Sequence, residues 1–146
     1  MKTWLLLASL LGLVQPATDL QRTADEAEAR TLPILLYVSR SDCSFCRRFE
    51  TEVLNPLIRS GEYADRVIVR ELVWDSPDPV RGFDGKSVMP EELADAYDAK
   101  LTPTLLFLDH DGTEIVRRIT GYRRTEFFSY YVEASIREAA ALLRKR

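Results

Sequence analysis

The apolar positions change period along the chain, and each change marks an expected element. Leu32–Val38 is an almost continuous apolar run entered through Pro33, which suits a strand buried on both faces. From Cys43 to about Arg59 the apolar residues Phe45, Phe49, Val53, Leu57 and Ile58 recur at helical spacing, and Gly61 follows as a stop. Pro56 inside that stretch predicts a bend. Residues 66–74 (RVIVRELVW) have strand composition, and so do 104–108 and 113–120, which flank the hairpin turn Asp109-His110-Asp111-Gly112. The polar, alanine-rich stretch Asp19–Arg30 predicts a surface helix capped by Thr18 or Asp19. Pro90 suits the first turn of a short helix reaching Ala99, and a final helix is expected from Thr125 to about Arg144.

Between them, Asp75–Met89 is punctuated by Pro77, Pro79, Gly82 and Gly85 and reads as a loop, long for a compact domain. The core order β-α-β-(loop, α)-β-β-α predicts a parallel first pair of strands and an antiparallel closing hairpin. The fold class is therefore α/β: a mixed four-stranded sheet flanked by helices. Ligand sites in such sheets favour the carboxyl edge of the strands, where the segment after Val38 emerges.

Composition narrows the function classes. A chain of 146 residues with 46% apolar content makes one domain with a real core. The net charge is −3 with acids and bases interspersed, so no basic stripe offers itself to nucleic acid. The acidic positions Glu91, Glu92, Asp95 and Asp98 read as a solvated helix face. Phe127, Phe128, Tyr130, Tyr131, Val132 and Ile136 read as the final helix packing on the sheet, with some rings facing outward.

The N-terminus has the form of an export signal. Lys2 supplies a positive start, Trp4–Val14 is apolar, and Gln15-Pro16-Ala17 is the expected cleavage region. The run is about half the roughly twenty residues that span a bilayer. The expected division is a signal peptide at 1–17 and one domain at 18–146, which places the protein in the periplasm or otherwise outside the cytoplasm. The alternative is an apolar N-terminal helix packed on the domain.

The only cysteines are Cys43 and Cys46. A disulfide across so short a loop removes little unfolded-state entropy, so the pair reads as redox-active and not as a staple. At a helix start, Cys43 faces unsatisfied N–H groups and the positive end of the helix dipole, both of which favour thiolate. Arg40, Arg47 and Arg48 add to this, and Asp42 opposes it. The lone histidine, His110, reads as solvated surface, and a metal site made with the two cysteines would need it brought across the molecule.

The Cys43-Ser44-Phe45-Cys46 motif after a buried strand, with Thr102-Pro103-Thr104 leading Leu105–Leu108, resembles the thioredoxin superfamily. Phe83-Asp84-Gly85-Lys86, the helix with Glu92-Leu93-Ala94 and Tyr97, and the stretch from Leu101 to Gly121-Tyr122 resemble, more narrowly, small exported thioredoxin-related proteins associated with bacterial sulfur oxidation. The resemblance implies a thioredoxin-like fold, with Cys43 as nucleophile and Cys46 as resolving thiol. Pro103 would be a cis-proline facing them, and Thr102 would offer backbone atoms to an extended substrate. It also implies a monomer needing neither cofactor nor metal. Its partners would be disulfide-containing exported proteins and a membrane-borne electron donor.

Two positions depart from the superfamily pattern. Tyr37 stands where many thioredoxins carry a buried carboxylate, and Asp42 where many carry tryptophan. Proton handling must then come from another group, with Glu71 a candidate, or from solvent. The expected activity is reduction of disulfides in other exported proteins. A thiol oxidase or isomerase, and a non-catalytic redox-sensitive metal- or protein-binding module, remain alternatives.

Overall fold

In the computed structural model, which describes residues 13–123 and 126–146, the chain forms a central mixed sheet with helices on both faces. The strands are β1 (Gln15–Pro16), β2 (Ile34–Ser39), β3 (Ile68–Val73), β6 (Thr104–Leu108) and β7 (Glu114–Thr120), in the spatial order β1-β3-β2-β6-β7. β2 and β3 are parallel, whereas β2–β6 and β6–β7 are antiparallel. The four expected strands are all present, and β1 adds a fifth, only two residues long, at the β3 edge. Its apolar period is too short to read, and its pairing is tertiary.

Alternation along β2 divides the core. Leu35 and Tyr37 point to one face, against Phe49, Leu54, Leu105, Phe107, Tyr122, Phe128, Val132 and Ile136. Ile34, Leu36 and Val38 point to the other, against Leu20, Ala27, Ala94, Leu106 and Leu108. Since both faces are covered, β2 is buried at every position, as its continuous apolar run requires.

The first helix, α1 (Leu20–Arg30), is capped by Asp19, whose carboxylate accepts from the Arg22 N–H at 2.9 Å. After the cysteines come α2 (Ser44–Phe49), a π-helical turn (Glu50–Leu54) and α3 (Asn55–Ser60), ended by Gly61 in the left-handed region. The backbone stays right-handed helical from the π turn through Asn55, so Pro56 stands inside a continuous helical run, and the irregularity there is the π turn that immediately precedes it.

The expected loop Asp75–Met89 carries a small hairpin, β4 (Val80–Arg81) with β5 (Ser87–Val88). It starts at the cysteine edge, where Asp75 accepts from the Ser41 N–H and hydroxyl. It then crosses to the segment that leads into α1, where the Arg81 N–H donates to the Thr18 carbonyl at 3.0 Å. Phe83 closes on Gly112, where an added Cβ would meet its ring at 2.7 Å. Helix α4 (Pro90–Ala96) and the final helix α5 (Phe128–Arg144) complete the layers. Phe128, Val132 and Ile136 are buried, and Phe127, Tyr130 and Tyr131 face outward. The expected start of α5 at Thr125 lies outside the described residues, as does the apolar run from Trp4 to Gly12.

Candidate redox site

The site forms where β2 ends. Ser39 to Asp42 turn the chain, and Cys43 caps α2: its Sγ accepts from the Cys46 N–H at 3.1 Å. Cys43 and Cys46 are joined as a disulfide. Cys43 is partly accessible, whereas Cys46 is fully buried in the aromatic face of the core. Buried Cys46 and half-exposed Cys43 give the two sulfurs different access to a partner.

Thr102-Pro103 approaches from the start of β6. The Thr102–Pro103 peptide bond is cis, and the Thr102 hydroxyl lies 3.4 Å from Cys43 Sγ. The structure thus brings together all four residues singled out from sequence: Cys43, Cys46, Thr102 and Pro103. Phe45, whose spacing predicted a core position, is 53% exposed instead. In the motif's first turn it flanks the disulfide, and exposed Leu101 lies beside Thr102.

The arginines contribute less free charge than their number suggests. Arg47 reaches Glu50 at 3.6 Å and donates to the Arg40 carbonyl at 2.8 Å. Arg48 pairs with Glu52 at 3.5 Å, and the Arg40 guanidinium stacks 4.3 Å from the Trp74 ring centroid. His110 lies in the turn beyond Leu108, beside Asp111 and Glu28. In the antiparallel β2–β6 register Leu108 faces Ile34, so His110 is at the opposite end of the sheet from the cysteines. The metal reading that required their meeting does not match this geometry.

Behind the motif is a polar cluster. Tyr37 is fully buried, and its hydroxyl donates to Glu50 Oε1 at 2.9 Å, with the Cys46 carbonyl oxygen 3.4 Å away. Glu71, opposite Tyr37 in the β2–β3 register, accepts from the Ser39 hydroxyl at 2.8 Å. Burial, opposed in part by the Ser39 hydrogen bond and reinforced by the Glu50 carboxylate, pushes the Glu71 carboxyl up to about 7. Burial and Glu50 also raise the Tyr37 phenol, so it remains a hydrogen-bond donor. Glu50 was not legible as a site residue. The available signal was its place four residues after Cys46, which puts it on the same helical face.

A family model described as a thioredoxin-like domain matches residues 20–136. Among solved structures, mitochondrial thioredoxin 3 of Saccharomyces cerevisiae in its oxidized form is 17% identical, with a TM-score of 0.58 over 86% of this chain and 94% of that one. Thioredoxin O2 of Arabidopsis thaliana in the oxidized state is 17% identical, with a TM-score of 0.55 over 88% and 94%. A poplar thioredoxin h mutant is 18% identical, with a TM-score of 0.60 over 92% and 86%. At these identities the likeness establishes the fold. No curated protein matches the chain significantly.

Proposed function

The chain belongs to the thioredoxin-like domain family, and from that premise we propose that it is an exported thiol–disulfide oxidoreductase that reduces disulfides of other exported proteins. The observation that carries the reading is the Cys43–Cys46 disulfide at a helix start, its accessible sulfur facing Thr102 and cis-Pro103. In the reduced protein the Cys43 thiolate attacks a partner disulfide, expels one partner thiolate and forms a mixed disulfide. The Cys46 thiol, once deprotonated, attacks Cys43, restores the intramolecular disulfide and releases the partner as a dithiol. Thr102 supplies backbone atoms to the extended partner segment during the attack.

Export is supported by Lys2 and the apolar run from Trp4 to Val14. In the periplasm the spent disulfide needs a reductant, and a membrane-borne donor is the class that reaches it there. The stretches around Phe83-Asp84-Gly85-Lys86 and Leu101–Leu108 support the narrower likeness to exported sulfur-oxidation-associated thioredoxins.

The absence of histidine between the cysteines favours a reductant, as does the pairing of Arg47 and Arg48 with carboxylates. The test joins insulin reduction to a redox titration against glutathione. The expected potential is nearer the reducing value of about −270 mV than the oxidising value of about −120 mV. A potential above about −150 mV overturns the reductase in favour of the oxidase. Absence of insulin reduction favours a binding module.

A further inference from the structure

The residues expected at the cleavage region, Gln15-Pro16-Ala17, are built into the folded domain. β1 lies parallel to β3, with Gln15 opposite Arg70 and Pro16 opposite Glu71. Its neighbours in sequence serve both faces of the sheet. Val14 packs, partly buried, against the aromatic face, and Ala17, only 3% exposed, sits in the aliphatic one. The Ala17 N–H donates to the Glu71 carbonyl at 2.8 Å and so satisfies an acceptor on the outer side of β3. The next residues are held as well. The Thr18 carbonyl accepts from the Arg81 N–H at 3.0 Å, Asp19 forms a β-bridge with Arg81, and the Asp19 carboxylate caps α1.

A chain beginning at Thr18 would lose β1 and leave β3 as a bare sheet edge. Leu13 and Gln15 would no longer wall the groove lined by Leu57, Ile58, Val67 and Val69. The new ammonium group on Thr18 would stand beside the start of α1, where positive charge opposes the helix dipole. An earlier stop is present in the sequence. The mainly apolar stretch Trp4–Leu11 is as long as the roughly 7–15 residues of a signal's apolar region, and the small residue Gly12 follows it directly.

We propose that the exported protein retains Val14–Ala17, with β1 at the centre of that segment, and that the Ala17–Thr18 bond is not its processing site. The Gly12–Leu13 bond meets the small-residue requirement of a signal peptidase and spares the strand. Hydrolysis there adds the hydroxyl of one water to the Gly12 carbonyl carbon and the remaining proton to the Leu13 nitrogen. The proposal rests on the export reading and adds to it where the leader ends.

The first residue is read directly by expressing all 146 residues in a bacterium and measuring the intact mass of the protein in the periplasmic fraction. The expected start is Leu13, and any start at or before Val14 supports retention. A start at Thr18, or anywhere else after Val14, overturns it. Protein confined to the cytoplasm counts instead against the export reading, and two further measurements then decide. Urea unfolding compares the full chain with one lacking residues 1–17. A lower midpoint for the shorter chain, or its failure to fold, is expected, whereas coincident midpoints overturn the proposal because β1 would be dispensable. Amide exchange on the full chain needs no truncation. The Ala17 N–H should exchange at least about tenfold more slowly than in an unstructured peptide, and exchange at the unstructured rate overturns the proposal.

Discussion

The two faces of the central sheet are built by the same alternation and do different work. The face toward α1 and α4 is aliphatic, with Ile34, Leu36, Val38, Leu106 and Leu108 fully buried and Ile68 nearly so. The opposite face mixes aromatic rings with polar groups. Phe49, Tyr122 and Phe128 pack edge to face or tilted, with centroids 4.9–5.9 Å apart. Tyr37, Glu50 and Glu71 sit toward its upper end. The first face holds the sheet together. The second places a redox pair over a half-buried polar cluster and gives up part of its hydrophobic gain to do so.

The sharpest test of this division is at the cysteines. Cys43→Ala should abolish insulin reduction, and Cys46→Ala should accumulate a mixed disulfide with the partner, detectable as a mass adduct. Wild-type turnover by the Cys46 variant would refute the attack-and-resolve order. By contrast, Leu36→Ala on the aliphatic face should cost about 2–5 kcal/mol in urea unfolding and leave the redox potential of the folded protein unchanged. A shift in potential with Leu36→Ala would erase the distinction between the faces.

How much of this division shows in the sequence depends on whether a feature is local. The apolar run ending at Val38, the Cys43–Cys46 spacing and Thr102-Pro103 each carry their signal within a few residues, and all were placed where expected. The contact of Glu50 with Tyr37 behind the motif was not legible, because it joins a strand to a π turn that α-helical spacing does not foresee. Phe45 misled for a related reason. Its period is that of a core residue, but in the first turn of α2 that direction opens to solvent. The β4–β5 hairpin escaped detection because its strands are two residues each. The candidate cleavage residues belong to the same class. Gln15–Pro16 pair with β3, and the buried Ala17 donates its N–H to the Glu71 carbonyl at 2.8 Å, contacts no apolar period announces.

The two faces should also respond differently to pH. Glu71 keeps its proton up to about 7 in the folded state, against an ordinary value of 4.5. Between those values the native protein binds more protons than the unfolded chain, so raising the pH removes stability. The contribution is fully present below 4.5 and is lost as the pH passes 7. The urea midpoint of wild type should therefore fall over this range relative to that of Glu71→Gln. Parallel midpoints in the two proteins would mean that Glu71 titrates as an ordinary surface carboxylate.

The smallest expected effect lies at the accessible sulfur. The Thr102 hydroxyl is 3.4 Å from Cys43 Sγ, long for a strong bond, and the Cys46 N–H at 3.1 Å already serves the same atom. Thr102→Val preserves shape and removes only the hydroxyl. A net hydrogen bond is worth about 0.5–1.5 kcal/mol, which corresponds to a rise of about one unit or less in the pH at which Cys43 reacts. Iodoacetamide labelling of the reduced protein across pH reads this directly, with buried Cys46 labelling slowly in both proteins. A shift of several units would make Thr102 the main stabiliser of the thiolate and demote the helix N-terminus. No shift at all would leave the helix start as its main support and confine Thr102 to its backbone role.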